Sequence, residues 1–162
     1  MTGLPRFKSI LVPMPGGQMS EPDNQAAPGP YGQPVEFLVP ARLESLAVIR
    51  TLVSALATLE DLDLDAVADL RLALDEACTA LIRSSVPNSR LTITVRPREH
   101  DVWISVSAPC VEDDVLRPGT FSWHVISSLT DDVETFRDGA EVGDPASIFG
   151  ITMTARRLDI SR

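Results

Sequence analysis

The fold is decided by the stretch Leu74-Asp75-Glu76-Ala77-Cys78-Thr79-Ala80-Leu81-Ile82, near the middle of the 162-residue chain. In and before this stretch, apolar side chains recur three or four residues apart, at Val67, Leu70, Leu74, Ala77, Cys78 and Leu81. Since an α-helix has about 3.6 residues per turn, the spacing places them on one face and predicts an amphipathic helix. The aspartates of segment 61–65 suit its N-terminus, and the proline-containing segment 87–89 ends it.

A strand and another helix are predicted before this stretch. Residues 35–39 have the composition of a strand, and Pro40 fits the first turn of a helix. The apolar spacing that follows predicts a helix of about 16–18 residues. Its buried face is expected to consist of Leu43, Leu46, Ile49, Val53 and Leu56. Arg50 then lies on or near the solvent side.

The C-terminal half alternates strands with a loop and a short helix. In chain order these are strands 91–95 and 102–106, a loop over 109–119, a helix over 121–129, and strands 133–137 and 148–154. The polar turn 98–101 predicts that the first two strands form a hairpin. The whole order predicts an α/β (α+β) fold, a two-layer sandwich whose mixed, mostly antiparallel sheet carries helices on one face. Trp103 and Trp123 are expected in the core or lining a pocket.

Composition divides the chain into two parts. Residues 1–34 contain seven prolines and five glycines with few large apolar groups, which predicts a disordered tail. Residues 35–162 are predicted to form one domain. No apolar run approaches the length of a bilayer span, so a cytoplasmic protein without a membrane partner is expected.

Charge and cysteine content exclude some classes of function. The net charge is −9, and from residue 35 onward 12 arginines face 21 acidic residues, which disfavours binding to nucleic acid phosphates. The two cysteines provide neither a disulfide framework nor a metal site. Cys78 is expected in the core. Cys110 falls in a predicted loop, where a free thiol with a redox role is the less favoured alternative.

Three segments carry a resemblance to a known family. They are residues 46–50 around Arg50, residues 66–79 around Glu76, and residues 121–133. The chain resembles the anti-sigma factor serine kinases of the RsbW and SpoIIAB type, within the GHKL (Bergerat-fold) superfamily. It looks most like the actinobacterial members that regulate a stress-response sigma factor of the F type.

The resemblance implies a nucleotide site that this chain has partly lost. In the family, a glutamate activates the attacking hydroxyl and an asparagine four residues later holds magnesium; here these positions are Glu76 and Ala80. Alanine provides no oxygen ligand for magnesium. The family's other nucleotide-binding positions correspond to Ala108, Cys110, Gly119 and Ser122, with Arg83 or Arg117 as a substitute cation. The adenine-binding Asp-x-Gly and the glycine-rich lid are therefore missing, so ATP with magnesium is a doubtful cofactor.

The resemblance also implies the partners. An alternative sigma factor is expected to bind at Arg50 and Leu46, and an antagonist of the STAS type is expected to displace it. A homodimer is expected because the family is commonly dimeric. The favoured hypothesis is a sequestering regulator, and the alternative is an active kinase that phosphorylates its antagonist through Glu76. A metabolic or nucleic-acid-binding protein that shares only the fold is the least favoured hypothesis.

Overall fold

One five-stranded sheet organises the computed structural model, which describes residues 32–112, 115–139 and 147–158. Its strands are β1 (Val35–Pro40), β2 (Arg90–Pro97), β3 (Asp101–Pro109), β4 (Asp132–Asp138) and β5 (Ile148–Arg156). They lie in the order β1-β2-β3-β5-β4, and every described pair is antiparallel. The predicted two-layer α+β fold is confirmed, and its expected mixed sheet is antiparallel throughout the described strands.

Three α-helices pack on one face of this sheet. They are α1 (Leu46–Leu59), α2 (Leu64–Ser84) and α3 (Phe121–Leu129). The prediction that Pro40 opens the first helix is wrong, because Pro40 pairs with Arg90 at the end of β1. A short 3-10 helix, Leu43–Ser45, then makes the turn, and the Ser45 hydroxyl donates a hydrogen bond to the Pro40 carbonyl at 2.7 Å.

The predicted start of α2 is confirmed in detail. Asp63 is the N-cap, and its carboxylate accepts a hydrogen bond from the Ala66 amide at 2.7 Å. This bond satisfies one of the amides that a helix N-terminus leaves without an internal partner. Beyond the end of α2, Asn88 takes a left-handed conformation with φ of 61° and turns the chain into β2.

The core lies between the helices and the sheet. All six apolar residues of the predicted α2 stripe are buried, together with Ala73. α1 contributes Ile49, Val53 and Ala57, whereas Leu43 is 55% exposed, so its expected burial is wrong. Leu43 differs because it belongs to the 3-10 helix, where the α-helical periodicity does not apply.

The opposite face of the sheet carries none of the described helices. There, Phe136 of β4 lies directly over Gly150 of β5: a Cβ built on Gly150 would lie 2.1 Å from the Phe136 ring. Trp103 of β3 also lies on this open face, since its neighbours Val102 and Ile104 point into the core. Of the two positions expected for Trp103, the core is therefore excluded, whereas Trp123 is partly buried against the core.

The predicted tail, residues 1–34, lies almost entirely outside the described residues, and its disorder stays a prediction. Of the loop predicted over residues 109–119, residues 113 and 114 are also outside the described residues. None of the described helices is long and apolar enough to cross a membrane.

Candidate functional site

The centre of the candidate site is a contact between α2 and α3. Glu76, on α2, accepts a hydrogen bond from the hydroxyl of Ser122. Ser122 is held in place because it belongs to the first turn of α3, where Thr120 is the N-cap and accepts a hydrogen bond from the Trp123 amide at 3.3 Å. The structure therefore brings together two of the residues predicted for the nucleotide site, 46 positions apart in sequence.

The remaining α2 positions offer little to a metal ion. Ala80 lies one turn after Glu76 on the same side of the helix and is partly exposed, and Arg83 is exposed near the C-terminus of α2. A methyl group replaces the expected oxygen ligand, and the Glu76 carboxylate is already engaged by Ser122. Within residues 32–112, 115–139 and 147–158, no group of three or more His, Cys, Asp or Glu side chains could hold a metal. The residues present do not fit the magnesium site of the family.

The expected adenine-binding segment is part of the core. Ala108 is 2% exposed and Cys110 is fully buried, so neither side chain faces an open site. The Cys110 amide donates a hydrogen bond to the Ser147 carbonyl at 3.0 Å, which fixes the segment beside the start of β5. Gly119 is exposed, and its φ of 91° is a left-handed conformation in the turn that enters α3.

Burial also disfavours the thiolate form of both cysteines. Loss of hydration raises the pKa of Cys78 to about 12 and that of Cys110 to about 11, because burial disfavours the thiolate. Both cysteines are free. The less favoured redox role of Cys110 therefore has no support, since thiol chemistry needs an accessible thiolate.

A second group of predicted residues lies where α1 contacts α2. The Arg50 Nε donates to both oxygens of Asp75 at 2.7 Å. This hydrogen bond and the attraction of the Asp75 charge raise the pKa of Arg50 above its usual value. The side chain of Arg50 stays 38% exposed, so its two terminal nitrogens are available to a further acceptor. The apolar spacing of α1 places Arg50 near solvent but does not indicate its partner on α2.

α1 also exposes apolar side chains that lie outside its predicted buried face. Val48, Leu52 and Leu59 are 50%, 40% and 76% exposed. They stand four and seven residues apart, so helical geometry aligns them on one side of α1, away from the buried Ile49 and Val53. Leu46, the other predicted partner-binding residue, is partly buried against the core. The signal was present in the sequence as a second apolar stripe on the same helix.

Comparisons with known proteins found sequence relatives and a structure of similar fold. The chain is 53% identical over 150 residues to proteins named Anti-sigma-F factor RsbW from two strains of Mycobacterium tuberculosis, CDC 1551 / Oshkosh and ATCC 25618 / H37Rv; the match covers 92% of this chain and 89% of each relative. A crystal structure of the RsbU and RsbW domains of a Mycobacterium tuberculosis protein matches with a TM-score of 0.57 and 13% identity. That match covers 77% of this chain and 32% of the other, and it supports the fold alone. No family model matches the chain.

Proposed function

This chain belongs to the family of RsbW-type anti-sigma factors, and we propose that it binds and sequesters an alternative, stress-response sigma factor in the cytoplasm. The observation that carries the proposal is the 53% identity over 150 residues to proteins named anti-sigma-F factors. The partner is proposed to be an F-type sigma factor, by analogy with those names. A STAS-type antagonist is proposed to release it by competing for the same surface.

The proposed contact surface is centred on Arg50, at the edge of α1 that lies beside α2, and Arg50 gives it a charge-assisted hydrogen-bond donor. Val48, Leu52 and Leu59 lie roughly half a turn away around α1, at about 100° per residue, so they form a separate apolar surface. Arginine is among the residues that most often dominate the binding energy of protein interfaces. Because Asp75 already holds the Nε of Arg50, the guanidinium is fixed in direction before a partner binds.

We propose that sequestration needs no nucleotide. Ala80 removes a metal ligand, Ser122 engages Glu76, and Ala108 and Cys110 are buried. The triphosphate of ATP carries several negative charges, and desolvating them without a metal or backbone donors is costly. A net charge of −9 increases this cost.

The test exploits the Arg50–Asp75 pair. We expect Arg50→Glu to weaken affinity for the sigma factor by about tenfold or more. Arg90→Glu on the open face of the sheet is the matched control, and it should change affinity by less than about twofold. The charge-swapped double variant Arg50→Asp/Asp75→Arg keeps a pair between the helices but moves the arginine to α2. If the swap restores wild-type affinity, Arg50 serves only the helix pair and is not a partner contact.

The second candidate function is an active serine kinase, and one observation favours it. Glu76 is present at the family's general-base position and contacts a serine hydroxyl, the type of group that such a base activates. Incubation with the antagonist, ATP and magnesium, followed by intact mass measurement, tests this function. One added phosphate that disappears in Glu76→Gln would establish the kinase; an unchanged antagonist mass would remove it.

A homodimer is also proposed, because members of the family are commonly dimeric. Light scattering on the purified protein should then give about twice the chain mass of 17.6 kDa. A single-chain mass at micromolar concentration would contradict it.

A further inference from the structure

One corner of the open sheet face gathers two arginines around a tryptophan. Arg96 on β2 pairs directly across the ladder with Trp103 on β3, and its guanidinium carbon lies 5.3 Å from the indole centroid. The guanidinium of Arg98, in the turn between the two strands, lies 5.5 Å from the same ring. Both distances are within the range of cation–π attraction, which holds the two positive groups close together despite their repulsion.

This arrangement leaves hydrogen-bonding capacity unused. A guanidinium has five N–H donors, and contact with a ring face leaves its edge free for a planar acceptor. In the described part of the chain, Arg96 forms no ion pair, and Arg98 has only Asp101 at 3.9 Å, near the outer limit of an ion pair. Glu36 accepts from Thr94 and Asp131 accepts from the Arg156 amide, whereas Glu99, in the same turn as Arg98, is exposed and has His100 at 3.9 Å.

The chemistry of this corner indicates the ligand that it fits. Two arginine edges beside an indole match a carboxylate, which they can bind in a bidentate manner, with apolar or aromatic contact to the ring. Nucleic acid is disfavoured because the chain as a whole carries a net charge of −9. An acidic peptide is a better match, since only a short local segment has to approach the two arginines.

We propose that Arg96, Arg98 and Trp103 form a docking site for a glutamate- or aspartate-rich peptide segment of a protein partner. This site goes beyond the function proposed above, because it lies on the face of the sheet opposite α1. It would add a second contact to a complex formed through α1, or recruit a separate partner. Its failure would leave sigma-factor binding through Arg50 intact.

The chain offers a clean optical probe and a matched control. It has two tryptophans, so Trp123→Phe leaves Trp103 as the single indole reporter. Arg90 lies on the same face of β2, roughly 20 Å along the strand from Arg96 at about 3.3 Å per residue, and it is exposed. Arg90→Gln therefore removes the same charge from the same strand and face without touching the tryptophan.

The experiment titrates a fluorescein-labelled dodecapeptide of alternating glutamate and glycine into the full-length protein at low salt. We expect saturable anisotropy, a change in Trp103 emission in the Trp123→Phe background, and no binding of the corresponding glutamine peptide. Arg96→Gln should weaken binding by about tenfold, and Arg90→Gln by less than about twofold. If Trp123→Phe fails to fold, anisotropy on the wild type and the two arginine variants suffices.

Three outcomes would overturn the inference. In the first, the wild type fails to bind the acidic peptide. In the second, Arg96→Gln and Arg90→Gln weaken peptide binding equally, which would indicate general electrostatics. In the third, self-association protects Trp103 from the quencher iodide before any peptide is added. The last result would assign this corner to an interface between two copies of the chain.

Discussion

The contact between Glu76 and Ser122 allows a quantitative prediction about the free energy of unfolding. Ser122→Ala removes the hydroxyl that donates to the Glu76 carboxylate and leaves the packing of α3 on α2 otherwise unchanged. A hydrogen bond to a charged group contributes about 1.5–3 kcal/mol to the free energy of unfolding when water cannot replace it. Both side chains are only partly buried, so water can solvate the carboxylate in the variant. We therefore expect a loss of about 1 kcal/mol in the free energy of unfolding, below that range.

Urea denaturation followed by circular dichroism measures this loss, and a double-mutant cycle assigns it to the pair. The cycle compares Ser122→Ala, Glu76→Ala and the double variant, and we expect a coupling energy of about 1 kcal/mol. Ser127→Ala, in the same helix, is the control, because the Ser127 hydroxyl bonds only to its own helix at the His124 carbonyl. A coupling below about 0.3 kcal/mol, which is within the additivity expected of independent sites, would refute the reasoning.

Three further predictions follow from the site and the sequence. Ala80→Asn restores an oxygen on the Glu76 side of α2, but ATP should still bind weakly in calorimetry because Ala108 and Cys110 stay buried; micromolar, magnesium-dependent binding would show that Ala80 alone had disabled the site. Both thiols should resist a disulfide reagent at pH 8 and react only after denaturation. The melting temperature should fall as the pH rises from about 9 toward 11. The reason is that the Cys110 thiol stays protonated in the folded state up to a pKa of about 11, whereas the unfolded thiol ionises near 9.0. Cys110→Ala should make that fall shallower, and an equally steep fall would assign the pH dependence to other groups. Deletion of residues 1–34 should change neither the melting temperature nor the affinity for the sigma factor, and a drop of more than about 5 °C would show that the segment packs on the rest of the chain.

The sequence predicted the elements better than the contacts between them. α3 was placed at its observed bounds, and the strands within about three residues, because each has a local apolar pattern bounded by turn residues. The start of α1 was misplaced because proline is as compatible with the end of an edge strand as with a first helical turn. Local patterns could not separate those two uses of Pro40, and pairing with Arg90 decided between them.

The candidate site could be predicted only in part, for a related reason. The resemblance selects Glu76, and periodicity places Arg50 on or near the solvent side of its helix, where its side chain is 38% exposed. Their partners are 46 and 25 residues away, on other helices, and no local pattern encodes which side chains meet across a packed pair. The position of Trp103 was missed in the same way, since strand alternation gives two faces without stating which one the helices cover.

The central proposal is that this chain sequesters a sigma factor without needing a nucleotide. Calorimetric titration of the F-type sigma factor from the same cell into the purified full-length protein, with and without ATP and magnesium, tests it most directly. We predict saturable binding whose affinity differs by less than about twofold between the two conditions. Binding that requires ATP and magnesium, or no binding to that sigma factor in either condition, would contradict the proposal.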